Sequence, residues 1–327
     1  MNPSDCMEIN AMKKLTIILP CFNEALNIPL IYKHLGDVLE KEAGYTWELL
    51  FVDDGSRDHS LAVIRQLSED PRVKCLALNR NFGHQHALSA GLDHADADVV
   101  ISMDCDLQDP PELIPEMLRR WEEGYDVVYA RRKNFRGDNI FKKMLSVLYY
   151  KVLEKAKEVD IPQNVGDFRL IDRKVLKVLR GMKERSRYLR GMVAWLGYKC
   201  AFVDYRRPDR KHGKSGYSFF KLMRLGMDGL LNFSLLPFKL GLVIGIASIF
   251  TGAGILVYMV VDILVNDVYY HLYKFLVDAI FIFMGFLFIL VWILGEYIGR
   301  LIRETKGRPL YVVAEKINMG ADETADR

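Results

Sequence analysis

The chain has 327 residues, 45 Lys plus Arg against 42 Asp plus Glu, and a formal net charge of +3 at neutral pH. Half of it is hydrophobic and 27% is charged, which excludes a disordered chain and gives no electrostatic case for a nucleic-acid partner. Five cysteines, Cys6, Cys21, Cys75, Cys105 and Cys200, form neither C-x-x-C spacing nor a paired framework, so a reduced compartment is expected for the soluble part.

Met1 to Lys14 lacks an apolar h-region, so no cleaved signal peptide is expected and residues 1–13 read as an extension. From there the chain alternates. Residues 15–20, LTIILP, read as a buried strand, and 23–42 as a helix with Leu26, Leu30, Ile31, Leu35, Val38 and Leu39 at its apolar positions. WELLFVDD (47–54) is a second strand, followed by a Gly-Ser-Arg-Asp turn and a helix over 60–68. VKCLAL (73–78) is a third strand, a helix follows over 86–94, and DVVISMD (98–104) is a fourth strand. Strands and helices alternating at this spacing predict β-α-β units and a mostly parallel sheet, whose ligands bind beyond the carboxyl ends of the strands. Four polar clusters fall at those ends: Pro20–Glu24, Asp53–Ser56, Asn79–Gly83 and Asp104-x-Asp106. No G-x-G-x-x-G follows the first strand and no G-x-x-x-x-G-K-[ST] occurs, so neither a dinucleotide fold nor a P-loop ATPase is supported.

The fourth cluster, MDCDLQDPPE, has the plainest chemistry. Residues i and i+2 of a strand face the same way, so Asp104 and Asp106 are expected to aim two carboxylates at one point, and Pro110 and Pro111 end the strand. Paired carboxylates at such an edge suit a hard divalent cation shared with phosphate oxygens, although Asp is also common in turns. His84 and His86 flank Gln85 at a helix start with no third ligand nearby, and a nucleotide contact or helix capping is expected of them. Further on, DVVYARR reads as a strand ending at Arg132. NIFKKMLSVLYYKVLEKAKE (139–158) reads as an amphipathic helix whose face of Ile140, Met144, Val147 and Leu148 suits a membrane interface.

The last third changes character. Residues 240–261 run for 22 positions without a charge, and 279–295 for 17. At about 1.5 Å per residue such runs approach the roughly 30 Å hydrocarbon core of a bilayer, and two transmembrane helices are expected. The loop between them carries Asp262, Asp267, Lys274 and Asp278. The outer flanks carry Lys211, Lys214, Lys221, Arg224 and Lys239 on one side and Arg300, Arg303, Lys306 and Arg308 on the other. Excess positive charge then predicts both termini in the cytoplasm. Gly241-x-x-x-Gly245 suggests close helix packing, Glu296 is expected to pair with Arg300 one turn on, and the final MGADETADR reads as an acidic, disordered end.

The segments ILPCFNE, FVDDGSRD, LNRNFGHQHALSAGLDHA, MDCDLQDPPELIPEM, GYDVVYARR, GDFRLIDRKV, YLRGMVAWLGY, RKHGKSGYS and GEYIGR with RPLYVV together resemble family 2 glycosyltransferases of the polyisoprenyl-phosphate type. That group includes dolichyl-phosphate mannose synthases and bactoprenol (undecaprenyl-phosphate) glucosyltransferases, and the likeness spans about residues 13 to 313. It implies a GT-A, Rossmann-like α/β domain over 14–216, an amphipathic juxtamembrane helix over 217–238, a two-helix hairpin over 239–304 and a cytoplasmic tail over 305–327, in a multi-pass protein of the inner (cytoplasmic) membrane. It implies inverting hexosyl transfer, glucose first, from a UDP-sugar to undecaprenyl or another polyisoprenyl phosphate, with Mg²⁺ or Mn²⁺ as cofactor and the lipid bilayer and a homotetramer as partners.

Residue by residue, the resemblance implies that Pro20, Phe22, Asn23, Glu24, Asp53, Arg80, Gly83 and Asp104 hold the nucleotide-sugar. Asp53 is chosen over Asp54 because a strand points neighbours to opposite faces. Asp104, Asp106 and Gln108 would gather the metal. Arg132, Lys142, Lys143, Ser146, Arg210 and Ser215 would receive the acceptor phosphate. The Gly213-Lys214-Ser215-Gly216 loop departs from the family's Gly-Glu-Ser-Lys, which puts the roles of Lys214 and Ser215 in doubt. Asp106 and Asp167 would be catalytic, Asp167 at the position of the family's base. The nucleophile, however, is a phosphate monoester with a second pKa of about 6, already largely dianionic in the cytosol. The expectation is therefore that Asp167 chiefly orients the acceptor or an arginine, Arg169 or Arg210. Two rivals are a processive polysaccharide synthase, which would need more helices and a Q-x-x-R-W motif that YLRGMVAW lacks, and a non-catalytic membrane scaffold, against which Asp104, Asp106 and Asp167 argue.

Overall fold

The structure, a computed structural model, describes residues 12–133, 162, 164–185, 187–205 and 272–320, with isolated positions between 250 and 265. The chain divides into two compact units. The larger contains the described residues up to 133, those of 162–205 and residues 309–320; the other contains 272–308.

In the larger unit the order is β1 (Lys13–Cys21), α1 (Ile28–Leu39), β2 (Tyr45–Asp53), α2 (Ser60–Leu67), β3 (Val73–Leu78), α3 (His84–His94), β4 (Val99–Ser102), a 3₁₀ turn (Pro111–Leu113), α4 (Ile114–Glu122), β5 (Val127–Arg132), β6 (Val165–Asp172), α5 (Arg173–Gly181), α6 (Leu189–Trp195), β7 (Cys200–Tyr205) and, after the apolar segment, β8 (Val313–Ile317). The strands form one sheet ordered β7-β5-β6-β4-β1-β2-β3-β8. β1 is buried from Leu15 to Cys21 and β2 from Glu48 to Asp53, as expected for central strands covered on both faces. α1 buries Ile28, Ile31, Leu35 and Leu39, the i, i+3, i+4 stripe of an amphipathic helix, and has Pro29 in its first turn. A Cβ on Gly91 would collide with the Ile18 side chain, so glycine lets α3 lie close against β1.

Strands β3-β2-β1-β4 are mutually parallel. The order reverses between β1 and β4, which opens a crevice at their carboxyl ends. β6 enters antiparallel to both β4 and β5, and β8 antiparallel to β3, so the sheet is mixed, although the other six strands run the same way, as expected. The consequence is local: because β6 runs backwards beside β4, its first residues, not its last, reach the crevice. Ser102 at the end of β4 pairs with Arg169 of β6.

Three expected boundaries move. α1 starts at Ile28 rather than near residue 23, because Asn23 has φ 58° and turns the chain. α3 starts at His84. β4 stops at Ser102, so Asp104 lies outside the strand. The expected cytoplasmic tail contains β8, whose Glu315 pairs with Arg65 at 2.5 Å. The Asn318 amide that follows donates to the carbonyls of Ser68 at 2.6 Å and Val73 at 3.0 Å.

In the other unit the described element is α7 (Leu272–Thr305), 34 residues containing the second apolar run. Among the described residues no helix is long and apolar enough to cross a membrane. Several α7 side chains and nearly all of 240–261 lie outside them, as do the juxtamembrane helix expected at 217–238 and the amphipathic helix expected at 139–158.

Candidate active site

The first wall of the crevice is a turn clamped to its neighbours. Asp54 accepts the backbone N–H of Phe82 at 2.7 Å and of Gly83 at 2.9 Å, and its own N–H donates to the Cys21 carbonyl at 2.9 Å. Gly55 has φ 67° and lies so near the next loop that a Cβ would sit 2.5 Å from the Arg80 carbonyl carbon. Gly83, with φ 99°, caps α3. Asp54 is thus consumed as a clamp, while Asp53, buried at the end of β2, accepts the Ser56 N–H at 3.3 Å. Burial pushes both carboxyls up; the N–H groups of Phe82 and Gly83 offset part of this for Asp54. This division favours Asp53 as the residue left for a ligand.

Pro20, buried in β1 opposite Val52, and Asn23 build the loop above it. The Asn23 N–H donates to Ser56 Oγ at 2.9 Å, and its side-chain oxygen accepts the Arg57 N–H at 2.8 Å. The Glu24 N–H donates to Ser60 Oγ at 2.8 Å and its carboxylate accepts from Asn27. Phe22 and Arg80 are exposed, with the guanidinium 4.0 Å over the Phe82 ring.

The Asp104–Asp106 pair is held by a loop, not by strand register. Leu107 takes φ 61°, the Gln108 N–H donates to Asp106 Oδ1 at 3.1 Å, and the Asp104 N–H to Asp109 Oδ2 at 3.3 Å. Asp109 is the buried anchor. It also accepts the Tyr205 hydroxyl at 2.9 Å, which in turn accepts Arg132 Nε at 2.9 Å, and Arg132 Nη2 lies 3.8 Å from Asp109. Burial and the nearby Asp104 charge push Asp109 up to about 6. Burial also raises Asp104, with His84 opposing and the Asp167 and Asp106 charges adding to it. Among the described residues no three His, Cys, Asp or Glu side chains gather as a metal site. The donor set is instead two hard carboxylates close enough to feel each other's charge, which fits Mg²⁺ or Mn²⁺ completed by ligand oxygens and water.

Asp167, at the start of β6, is saturated with donors. Its carbonyl accepts Ser102 Oγ at 2.5 Å. Its carboxylate accepts Arg169 Nη2 at 2.7 Å, Arg190 Nε at 3.1 Å and Nη2 at 3.0 Å, and His84 Nε2 and Gln85 Nε2 at 3.2 Å each. Burial alone would raise its pKa, but the Arg190 charge, the His84 bond and Arg169 hold it well below the usual carboxylate range. His84 also lies 3.6 Å from Asp104 Oδ1. Burial works against its charge, yet the bond to Asp167 and the charges of Asp104 and Asp167 push it up to about 9, so it is an imidazolium at neutral pH.

The crevice therefore unites Asp104, Asp106, Asp167 and Arg132. To these it adds His84, Gln85 and Arg190, whose contacts sequence reasoning did not foresee; the only signals were the His-Gln-His run at a helix start and the arginine of YLRGMVAW. Arg169, expected as one possible partner of Asp167, is one. Lys142, Lys143, Ser146, Arg210 and Ser215 lie outside the described residues.

Residues 16–180 match the family described as Glycosyl transferase family 2. The chain is 41% identical over 302 residues to an uncharacterized glycosyltransferase, YkcC, of Bacillus subtilis (strain 168), covering 91% of this chain and 92% of that one. It is 37% identical over 305 residues to the bactoprenol glucosyl transferase of Shigella phage SfII, covering 92% and 97%. It is also 36% identical over 305 residues to a prophage bactoprenol glucosyl transferase homolog of Escherichia coli (strain K12), covering 92% and 98%.

Proposed function

The chain belongs to glycosyltransferase family 2, and we propose that it transfers a glucosyl residue from a UDP-sugar to a polyisoprenyl phosphate at the cytoplasmic face of a membrane. The observation that carries this reading is the single crevice in which a metal-suited carboxylate pair stands beside a carboxylate wrapped in arginines. Relatives named bactoprenol glucosyl transferases, aligned over nearly their whole length, support the lipid acceptor and the sugar.

In this reading Asp53 and the Pro20–Glu24 loop, with Phe22, Arg80 and Gly83 at its rim, bind the nucleotide. Asp104 and Asp106, with Gln108 beside them, would hold a divalent cation, which would supply positive charge against the leaving diphosphate. The bond from the anomeric carbon to the UDP oxygen breaks, its electron pair staying with UDP, and a bond from the acceptor phosphate oxygen forms on the opposite face. With a dianionic phosphate no proton need be moved, and Asp167, held far below neutrality, is badly matched to take one. Its work is to fix Arg190, His84 and Arg169 in place. Arg132, with Lys142, Lys143, Ser146, Arg210 and Ser215, is proposed to receive the acceptor.

The membrane anchor is the two-helix hairpin read from 240–261 and 279–295. β8 supplies a topological constraint: the chain leaves the sheet after β7 and rejoins it at Val313, so any crossings in between must be even in number. Both termini then share the cytoplasmic side of the inner membrane, as the flanking lysines and arginines favour. Assembly as a homo-oligomer, a tetramer first, belongs to the same proposal and is read by light scattering.

The test is single-turnover transfer by the purified full chain in lipid, with undecaprenyl phosphate, Mg²⁺ and UDP-glucose, UDP-N-acetylglucosamine or UDP-galactose, each repeated with EDTA. Lipid-linked glucose abolished by EDTA is the expected result. Transfer from another donor alone would replace the sugar, and no transfer from any would overturn the reading.

A further inference from the structure

We propose that Arg190 joins Arg132 in gripping the acceptor's phosphate monoester, and that Asp167 is its positioning partner. The inference rests on the polyprenyl-phosphate reading above and names a residue for it.

Two arginines meet Asp167, and they are used differently. Arg169 is fully buried; it gives Nη2 to Asp167 and Nη1 to the Leu189 carbonyl at 3.3 Å. Arg190 gives Nε and Nη2 to Asp167 and remains 29% exposed. A guanidinium carries five N–H donors in a planar fork. Two nitrogens on one carboxylate fix that plane and leave Nη1 and the outer hydrogen of Nη2 without a partner among the described residues. This is the geometry for bidentate phosphate recognition.

The mounting is rigid. Leu189, the residue before it, is held at both ends of its backbone: its N–H donates to Gln85 Oε1 at 3.3 Å and its carbonyl accepts Arg169. Charge balance points the same way. Asp167 carries one negative charge against the two guanidinium groups of Arg169 and Arg190. A positive surplus is left beside the D-x-D loop. The donor diphosphate would have its own counter-charge in a cation held by Asp104 and Asp106. The acceptor phosphate needs a separate one, within bonding reach of the sugar's anomeric carbon but off the metal. Arg190 lies close enough to Asp104 to feel its charge, yet its hydrogen bonds go to Asp167 and not to the D-x-D carboxylates.

The experiment measures binding of polyprenyl phosphate and of the corresponding polyprenol to the full chain in nanodiscs, for wild type, Arg190→Gln and Arg190→Lys, alongside UDP affinity with Mn²⁺. Wild type is expected to prefer the phosphate. Arg190→Gln is expected to lose at least tenfold of that preference with UDP affinity changed less than twofold. Arg190→Lys, which keeps the charge but loses the fork, should fall between, and it carries the test if the glutamine variant melts early. Retained phosphate preference in Arg190→Gln, or an equal loss of UDP affinity, would overturn the assignment. A wild type that binds alcohol and phosphate alike would instead overturn the acceptor reading on which it rests.

Discussion

Asp167 and the Asp104–Asp106 pair share one rim and are built in opposite ways. Asp167 receives five side-chain hydrogen bonds from two arginines, a histidine and a glutamine, so its charge is permanent and its orientation set. Asp104 and Asp106 stand on a loop whose own backbone is tied down by Asp109 and by Asp106 itself, and burial raises the Asp104 pKa where pairing lowers that of Asp167. Carboxylates of one chemical type thus do two jobs. One is an anchor paired in advance, the other a ligand whose counter-charge comes with the substrate.

Removing the ligand should cost most. Asp104→Asn is expected to lower transfer on the order of a thousandfold, the several kcal/mol that a Lewis acid supplies, and to abolish Mn²⁺-dependent UDP binding in calorimetry; unchanged binding would erase the contrast. A clamp carboxylate should act on stability instead. Asp54→Ala strands two backbone N–H groups and should cost about 2–3 kcal/mol in urea unfolding, whereas a mere surface aspartate would cost little. Smaller again is the hold of β8 on the sheet: Asn318→Ala should cost about 1 kcal/mol. A change of zero would mean that the returning segment is not fastened there.

A further effect is a slope. His84 has a folded pKa of about 9, above the roughly 6.5 of an unfolded histidine. Its pairing therefore stabilises the protein fully below about pH 6.5, and that contribution is lost as pH rises through 9. With EDTA present, the urea-midpoint difference between wild type and His84→Gln should shrink over this window. A difference that grew with pH would contradict the imidazolium.

What could be read without coordinates follows from how local each feature is. β1 to β4 and α1 to α3 were legible because each strand is a continuous apolar run and each helix a 3.6-residue stripe, both properties of a short window. Asp53 was preferred over Asp54 on strand alternation; the clamp that Asp54 forms with the Phe82 and Gly83 N–H groups had no local signal. The same alternation misled at Asp104 and Asp106, because β4 stops at Ser102 and a positive-φ Leu107 replaces the pleat. The Asp167 cluster was half visible: Arg169 is two residues away, but Arg190 and His84 are 23 and 83 positions distant, joined only because β6 runs antiparallel beside β4. β8 was read as tail because no local pattern tells a short edge strand after an apolar segment where its sheet lies.

The central claim, that Asp167 is an anchor and not a base, is tested most directly by the pH profile of Asp167→Asn. Single-turnover transfer is measured from pH 6 to 8.5 with saturating donor and polyprenyl phosphate. An orienting anion predicts the same fractional loss at both ends, because asparagine lacks the charge and the second acceptor oxygen that Arg190 uses, at any pH. A loss that is large at pH 6 and fades toward wild type at pH 8.5, where the phosphate is already a dianion, would show that proton removal was the residue's work.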